Sequence, residues 1–318
     1  MNLSKKLTLA PLALSLCIAS GNVLADAILP GECAFPEGVT ATSDGTLYVG
    51  SMQHGSVFRV PAGSKQGEQF LANNANGIVS TLGVYADEER NRLIVCSADP
   101  GIAHTQVGDD SFTGKGGTGI HVFDLQSGVA LSSVDFPGGG FCNDIAVDSR
   151  GAIFSTDTFH GKVMKYADGA ISVLAMGGIL SSQPWTLNGI DYRASDNALY
   201  VGNQSTGQLF KLSLDGESAL SSIGEISLSR NLNVPDGLRF IDENTLGAVE
   251  AGAGALASIS LPSGEVKVIA EGLDSPATFV PARGKMWVTS AQGGQFWTPD
   301  GSCAAVEKPF RVIEVDTQ

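Results

Sequence analysis

The sequence has little of what marks a membrane-spanning chain, a nucleic-acid-binding protein or a zinc site. Beyond residue 25, no stretch approaches the roughly 18 apolar residues that a membrane helix needs. Lys and Arg number 19 against 33 Asp and Glu, and this acidic balance argues against nucleic acid as a partner. The 4 histidines and 5 cysteines show no metal-ligand spacing, which argues against a typical zinc cage. No low-complexity linker marks a second domain.

The first 25 residues have the layout of a cleavable secretory signal. Lys5 and Lys6 precede an apolar run that ends near Ala19, and this run is too short to span a bilayer comfortably. A lipoprotein anchor at Cys17 and a buried N-terminal helix are the alternatives, although Leu16 stands where lipidation needs a small residue. We therefore expect residues 1–25 to be removed, residues 26–318 to form one domain, and the protein to be periplasmic or secreted.

A repeated pattern organises the rest of the chain. Residues 187–212 predict three short strands, because Asn188-Gly189 opens a period-two run and the turns at 194–197 and 203–207 separate the strands that follow. The same pattern recurs with openings 45, 61, 45, 48 and 40 residues apart. This spacing is typical of propeller blades, each a small four-stranded sheet. The six predicted openings are Glu37, Leu82, Asn143, Asn188, Asp236 and Pro276. The predicted fold is therefore an all-β, six-bladed β-propeller.

Four cysteines remain after residue 25, and their positions suggest how the ring closes. Cys33 precedes the first blade and Cys303 follows the last, so a bridge between them would join the two ends of the ring. Cys96 and Cys142 are left open, either as a second pair or as free buried thiols.

A long interruption divides the second blade. Residues Ser97 to Gly119 contain several glycines and charged residues, and a loop of this length in a compact repeat is usually functional or disordered. We interpret it as a candidate lid over one mouth of the channel. His104 is a possible general base there, although a lone loop histidine is more often a solvated surface residue.

The blade openings also suggest a metal site. Innermost strands surround the channel of a propeller, so residues at one register converge although they are far apart in sequence. Two carboxylates and two carboxamides there offer only oxygen ligands, which suits a divalent cation. Calcium is the first choice, with magnesium, manganese and zinc as alternatives. An Asn or Asp before Gly can also serve only a turn, and this interpretation competes at each position. The proposed ligands are Glu37, Asn143, Asn188 and Asp236.

The same short motifs resemble those of a known family. Pro36-Glu37-Gly38, Asn143-Asp144, Asn188-Gly189-Ile190-Asp191 and Pro235-Asp236-Gly237 are similar to the blade motifs of the SMP-30, gluconolactonase and luciferin-regenerating-enzyme family, and more distantly to paraoxonases. The resemblance implies that Glu37, Asn188 and Asp236 bind a catalytic divalent metal and that Asn143 contributes to the substrate site. Phe141 stands where the regucalcin-type branch has arginine, and Leu82 where paraoxonases have a catalytic histidine. Both departures favour a less hydroxylated lactone or ester.

These observations predict a metal-dependent hydrolase whose substrate is a small lactone or ester. The cation would polarise the carbonyl group, and Asp236, or alternatively Asp144 or Glu37, would accept the proton of the attacking water. Asn143 and Asp236 are thus the predicted catalytic residues. A non-catalytic propeller with a structural cation, acting as a binding module in the cell envelope, is the alternative. A quinone-dependent dehydrogenase or a lyase ranks third, because the channel register shows no basic cluster.

Overall fold

The computed structural model describes residues 26–99, 117–180, 185–297, 303 and 305–316. Six antiparallel sheets of four strands each follow one another around a ring, and the innermost strand of the first contacts that of the last. The prediction of an all-β, six-bladed propeller is therefore confirmed. The signal sequence at 1–25 and most of the interruption after Ser97, including His104, lie outside the described residues.

Each blade runs from an innermost strand outward. Blade one has β2 (Pro36–Ala41), β3 (Leu47–Ser51), β4 (Ser56–Val60) and β5 (Glu68–Leu71). Blade two has β6 (Ser80–Asp87), β7 (Arg92–Ala98), β8 (Gly119–Asp124) and β9 (Ala130–Asp135). Blade three has β10 (Cys142–Val147), β11 (Ile153–Asp157), β12 (Lys162–Ala167) and β13 (Ala170–Met176). Blade four has β14 (Leu187–Arg193), β15 (Ala198–Asn203), β16 (Gln208–Leu214) and β17 (Leu220–Ile226).

The last two blades complete the ring. Blade five has β18 (Pro235–Asp242), β19 (Thr245–Glu250), β20 (Ala255–Ser260) and β21 (Glu265–Glu271). Blade six has β22 (Pro276–Ala282), β23 (Lys285–Ser290), β24 (Arg311–Asp316) and, on its outside, β1 (Ala27–Ile28). A short α-helix, α1 (Gly293–Phe296), follows β23. No helix in the described part of the chain is both long and apolar enough to cross a membrane.

The two ends of the chain close the ring together. Strand β1 pairs with β24, so that Ala27 lies opposite Val312 in blade six. A disulfide joins Cys33 to Cys303, with their Cα atoms 5.7 Å apart, which confirms the predicted pair. The two cysteines are 270 residues apart in the sequence, so the bridge links the first blade to the last.

The second pair of cysteines joins two neighbouring blades. Cys96 lies on β7 of blade two, Cys142 begins β10 of blade three, and a disulfide connects them. Of the two alternatives that the sequence left open, the structure therefore has the pair. Its position close to Asn143 ties the start of β10 to the preceding blade.

Where an opening motif contains a glycine, the glycine lets adjacent blades approach closely. A Cβ atom on Gly38 would lie 2.3 Å from the carbonyl oxygen of Leu82, and one on Gly189 would lie 2.2 Å from that of Asp236. Both glycines lie inside innermost strands rather than in turns. The turn interpretation of Asn188-Gly189 is therefore wrong, because Asn188 lines the cavity while Gly189 provides room for the next blade.

The apolar core lies between the sheets. Large side chains such as Phe154 of β11, Phe210 of β16 and Phe279 of β22 are fully buried there. Each inter-blade layer resembles the layer between the sheets of a β-sandwich. Burial of this apolar surface, and not the channel, supplies the main driving force for folding.

Candidate active site

The four predicted ligands line a single cavity. It has a volume of about 510 Å³ and lies where the innermost strands of the ring begin. Its polar wall contains Glu37, Asn143, Asn188, Gln204 and Asp236. The repeat register of the sequence therefore brings together side chains from blades one, three, four and five.

A bulge occurs at this level in every blade. The pairing of each innermost strand with its neighbour shifts by one residue directly after the strand begins, as between Pro36 and Val39 in blade one or Pro235 and Leu238 in blade five. Such bulges redirect side chains and are frequent beside active sites. The bulged residues include Glu37 and Asp236, so the bulge is the local feature that turns them toward the cavity.

The opening residue of blade six needs a correction. Pro276 pairs with Ser290 as Pro36 pairs with Ser51, so the residue equivalent to Glu37 is Ala277 and not Pro276. The hairpin between β22 and β23 turns over only two residues, which shortens the spacing from which the register was inferred. Pro276 and Ala277 both line the cavity, and neither offers a ligand atom from its side chain.

The side-chain oxygen of each carboxamide is bare, meaning that it has no hydrogen-bond partner. The Asn143 Nδ2 donates to Thr158 Oγ1 at 2.9 Å, and the Thr158 hydroxyl donates in turn to the Leu187 carbonyl at 2.6 Å, which fixes the orientation of the amide. The Asn188 Nδ2 donates to Gln204 Oε1 at 2.8 Å. The Oδ1 atoms of Asn143 and Asn188 are buried without a hydrogen-bond partner. A buried carbonyl oxygen without a partner is costly unless a ligand satisfies it.

The two carboxylates carry strongly perturbed pKa values. Burial, followed by repulsion from Asp236 and Asp144, raises the pKa of Glu37 well above its usual range. Burial, followed by repulsion from Asp144, raises the pKa of Asp236 to about 8. A hydrogen bond from Asn188 acts in the opposite direction and lowers this pKa. Both carboxylates therefore favour a bound positive charge, either a proton or a cation.

The donor set fits a hard divalent cation. Carboxylate and carboxamide oxygens are the ligands that Ca²⁺ and Mg²⁺ prefer, and the bare oxygens and the raised carboxyl pKa values occur in the same cavity. Within the described ranges, no three His, Cys, Asp or Glu side chains are grouped as metal ligands. A cation in this cavity would thus depend on Asn143 and Asn188 as well as on the carboxylates.

Asp144 has a different role from its neighbour Asn143. Its carboxylate forms a bidentate ion pair with Arg239, at 2.7 and 2.8 Å, and accepts the backbone N–H groups of Ile145 and Ile190 at 2.8 and 3.1 Å. Burial lowers the pKa of the Arg239 guanidinium, but Asp144 outweighs this effect and the net shift is upward. With its four hydrogen bonds, Asp144 supports the site and is a poor candidate for a ligand or a base.

The sequence did not reveal Arg239. It lies three residues after Asp236 on β18 and is buried, and its guanidinium also donates to the Leu238 carbonyl at 2.6 Å. The available signal was that Arg239 is the only basic residue in the interior of an innermost strand, where apolar or small residues are otherwise the rule. Its engagement with Asp144 leaves it unsuited to bind the carboxylates of a quinone.

Aromatic rings form another part of the cavity wall, the aromatic wall. Phe141, Phe159 and Trp185 contact one another with ring centroids 4.7–5.6 Å apart, and Trp297 contacts Trp185 at 6.0 Å. Phe141, Trp185 and Trp297 line the cavity itself. Trp185 has a left-handed backbone with φ 60°, which a bulky residue adopts only at a cost of about 1–3 kcal/mol.

The aromatic wall was only partly predicted. Phe141 and Leu82 were expected to make the site apolar, and both line the cavity. Trp185 and Trp297 precede β14 and follow α1, in segments that the repeat pattern does not include. Gln204 was also missed, although it directly follows the second strand of its blade, as Met52, Ala251 and Ala291 do in theirs.

Comparisons with known proteins agree with this architecture. Residues 35–292 match the family model described as the SMP-30/gluconolactonase/LRE-like region. A gluconolactonase from Xanthomonas campestris is 16% identical, with a TM-score of 0.61 over 84% of this chain and 85% of that chain. A luciferin-regenerating enzyme is 13% identical, with a TM-score of 0.62 over 93% of both chains.

A lyase shares the fold as well. Virginiamycin B lyase from Staphylococcus aureus is 11% identical, with a TM-score of 0.59 over 93% of this chain and 99% of that chain. At such identities the likeness to solved structures extends to the fold alone. No curated protein matches the sequence.

Proposed function

Because the chain belongs to the SMP-30/gluconolactonase/LRE-like family, we propose that it is an exported, metal-dependent hydrolase that opens lactones or related esters. The observation that carries the proposal is the meeting of two carboxylates and two bare carboxamide oxygens in one cavity of about 510 Å³. A volume of this size is sufficient for a small organic substrate.

Four side chains would hold the cation, with Ca²⁺ as the first choice and Mg²⁺, Mn²⁺ or Zn²⁺ as alternatives. They are Glu37, Asn143, Asn188 and Asp236. When bound, the cation supplies positive charge for the carbonyl oxygen of the substrate. The hydrogen bonds from Asn143 and Asn188 to Thr158 and Gln204 keep the two amide oxygens directed into the cavity.

The reaction adds one water molecule to the lactone. The water oxygen forms a bond to the carbonyl carbon, the ring C–O bond breaks, and the released oxygen takes a proton to give the hydroxy acid. Asp236 accepts the proton of the attacking water and can return it to the leaving oxygen. Asn143 lines the same cavity and orients the substrate carbonyl.

Export rests on the N-terminal sequence and on the disulfides. Two disulfides join all four cysteines outside the expected signal sequence, which is typical of proteins in oxidising compartments. Mass spectrometry of the secreted or periplasmic protein should find a mature N-terminus near residue 26. An intact Met1 in that fraction would contradict cleavage.

The test of the function compares two aspartates on one strand. Asp236→Ala should lower cation affinity at least about tenfold and kcat/KM for a lactone about hundredfold. Asp242→Ala is the matched control, because Asp242 lies at the other, exposed end of β18 and accepts only the Asn244 N–H at 2.8 Å. Cation content is measured by elemental analysis of protein purified without chelator, and turnover on a panel of aliphatic, aromatic and sugar lactones and esters.

Two outcomes would contradict the proposal. If Asp236→Ala keeps its cation, the ligand assignment is wrong. If wild-type protein holds the cation but opens no lactone or ester, the cation is structural and the propeller is a binding module.

A further inference from the structure

Two kinds of side chain line the cavity, and they suit different parts of a substrate. The polar side chains that would act on a carbonyl group are Glu37, Asn143, Asn188 and Asp236. Most of the other described lining residues have aromatic, aliphatic or small apolar side chains. They include Met52, Leu82, Phe141, Trp185, Trp297 and Ala277.

Resting on the proposed function, we infer that the preferred substrates are neutral lactones or esters that carry an aromatic ring, with Trp185 and Trp297 as specificity-determining residues. The two indoles contact each other nearly edge to face, at 6.0 Å and 87°, and Trp185 contacts Phe159 at 4.7 Å and 80°. A planar aromatic ring can add to such a cluster in the same edge-to-face or offset-stacked arrangements.

The different exposures of the rings support contact with an aromatic substrate. Phe141 is only 2% exposed and forms the base of the aromatic wall, whereas Trp297 is 40% exposed at its outer end. Trp297 is held in place by Phe296, whose ring is fully buried and lies 5.2 Å from it. A large, exposed indole on a fixed support at the entrance of a cavity is an anchor that a ligand can cover without rearrangement.

Charge and hydrogen bonding disfavour the other lactone classes. Among the described residues, the charged side chains on the wall are Glu37 and Asp236, both acidic, so an anionic substituent would be repelled. In the part of the chain that the structure describes, the polar wall residues outside the proposed ligands are Gln204 and Ser275, and Gln204 already accepts a hydrogen bond from Asn188. The several hydroxyl groups of a sugar lactone would therefore be buried without enough partners, which lowers affinity.

Three lactones of one ring size test the inference. We expect kcat/KM to be at least about tenfold higher for 3,4-dihydrocoumarin than for δ-valerolactone, and lowest for glucono-δ-lactone. Trp297→Ala should raise the KM for dihydrocoumarin about five- to tenfold, the loss of one aromatic contact, and raise the KM for δ-valerolactone by a clearly smaller factor. Trp297→Phe retains a ring and should restore most of the affinity. Unchanged cation content shows that each variant is folded.

The inference and the proposed function can fail separately. Equal kcat/KM for the aromatic and aliphatic lactones, or equal effects of Trp297→Ala on both, would overturn the inference while the hydrolase stands. If no lactone is opened, binding of coumarin is measured by quenching of tryptophan fluorescence. Coumarin binding that weakens in Trp297→Ala supports the aromatic site although the hydrolase fails, and no quenching overturns it.

Discussion

Two groups of polar side chains lie next to each other in the channel. They differ in how many of their hydrogen-bonding atoms have a partner. Asp144 and Arg239 use their hydrogen-bonding groups on each other and on the backbone of blades three, four and five. The neighbouring cavity set has carboxamide oxygens without partners and carboxylates with raised pKa values. It consists of Glu37, Asn143, Asn188 and Asp236.

The difference shows which polar residues hold the ring and which bind a ligand. A buried ion pair with complete hydrogen bonding fixes the strands that carry it, whereas unsatisfied buried groups cost stability and persist where function requires them. The Asp144–Arg239 pair connects β10 to β18 across the intervening blade. It therefore fixes the separation of Asn143 and Asp236, which lie on the same two strands.

Breaking the pair should have the largest effect. Arg239→Met leaves the Asp144 carboxylate buried without its partner, and this should cost about 3–5 kcal/mol of unfolding free energy. The measurement is urea unfolding followed by circular dichroism. The double variant Asp144→Asn/Arg239→Met removes both charges, keeps an acceptor for the backbone N–H groups that Asp144 binds, and should recover most of the loss. A double variant as unstable as the single one would show that the pair matters for its shape and not for its charge.

Replacing a carboxylate of the cavity set should increase the unfolding free energy instead of lowering it. Asp236→Asn removes a carboxylate that burial and Asp144 destabilise, so the metal-free variant should be about 0.5–2 kcal/mol more stable than metal-free wild type at neutral pH. The same variant should bind the cation more weakly, because it loses one of two anionic ligands. Unfolding is measured with chelator present and cation affinity by calorimetry. A destabilised metal-free variant would place Asp236 with the structural residues.

The sequence was informative wherever residues at the same step of the repeat also lie at the same level of the channel. Strand alternation and the spacing of the openings identified the fold, and the same spacing brought Glu37, Asn143, Asn188 and Asp236 to one level of the channel. The Cys33–Cys303 bridge followed because the two ends of a ring must meet. Each of these inferences needed only the order of the blades.

What the sequence did not reveal depends on contacts between unlike positions. Asp144 and Arg239 are 95 residues apart and occupy different steps of the repeat, so no register relates them. Trp185 and Trp297 come from segments outside the repeated strands. The blade-six error at Pro276 arose because hairpin length varies between blades, which changes sequence spacing without changing the pairing.

A pH dependence of intermediate size follows from the carboxyl pKa values. The pKa of Asp236 rises from a usual 3.8 to about 8, so the metal-free fold binds a proton that the unfolded chain has released between these values. The unfolding free energy of metal-free protein should therefore fall as pH increases from about 4 to about 8. Because the proton competes with the cation, cation affinity should rise over the upper part of the same range, by up to about tenfold per pH unit. Calorimetric titrations at pH values from 6 to 9 measure this, and an affinity independent of pH would contradict the ligand assignment of Asp236.

The smallest predicted effect concerns Gln204, a cavity-wall residue that contacts the cavity set. Gln204 accepts the Asn188 Nδ2 group at 2.8 Å, and this bond keeps the bare Oδ1 of Asn188 in its ligand orientation. Gln204→Leu preserves the size of the side chain but removes the acceptor, so the amide can rotate and the loss of one hydrogen bond should weaken cation binding about two- to tenfold. Gln69→Leu, an exposed glutamine on β5 of blade one, is the matched control and should leave the affinity unchanged. Calorimetry on both variants separates the outcomes: equal affinities would mean that Asn188 is held by Asp236 alone, or that its oxygen is not a ligand.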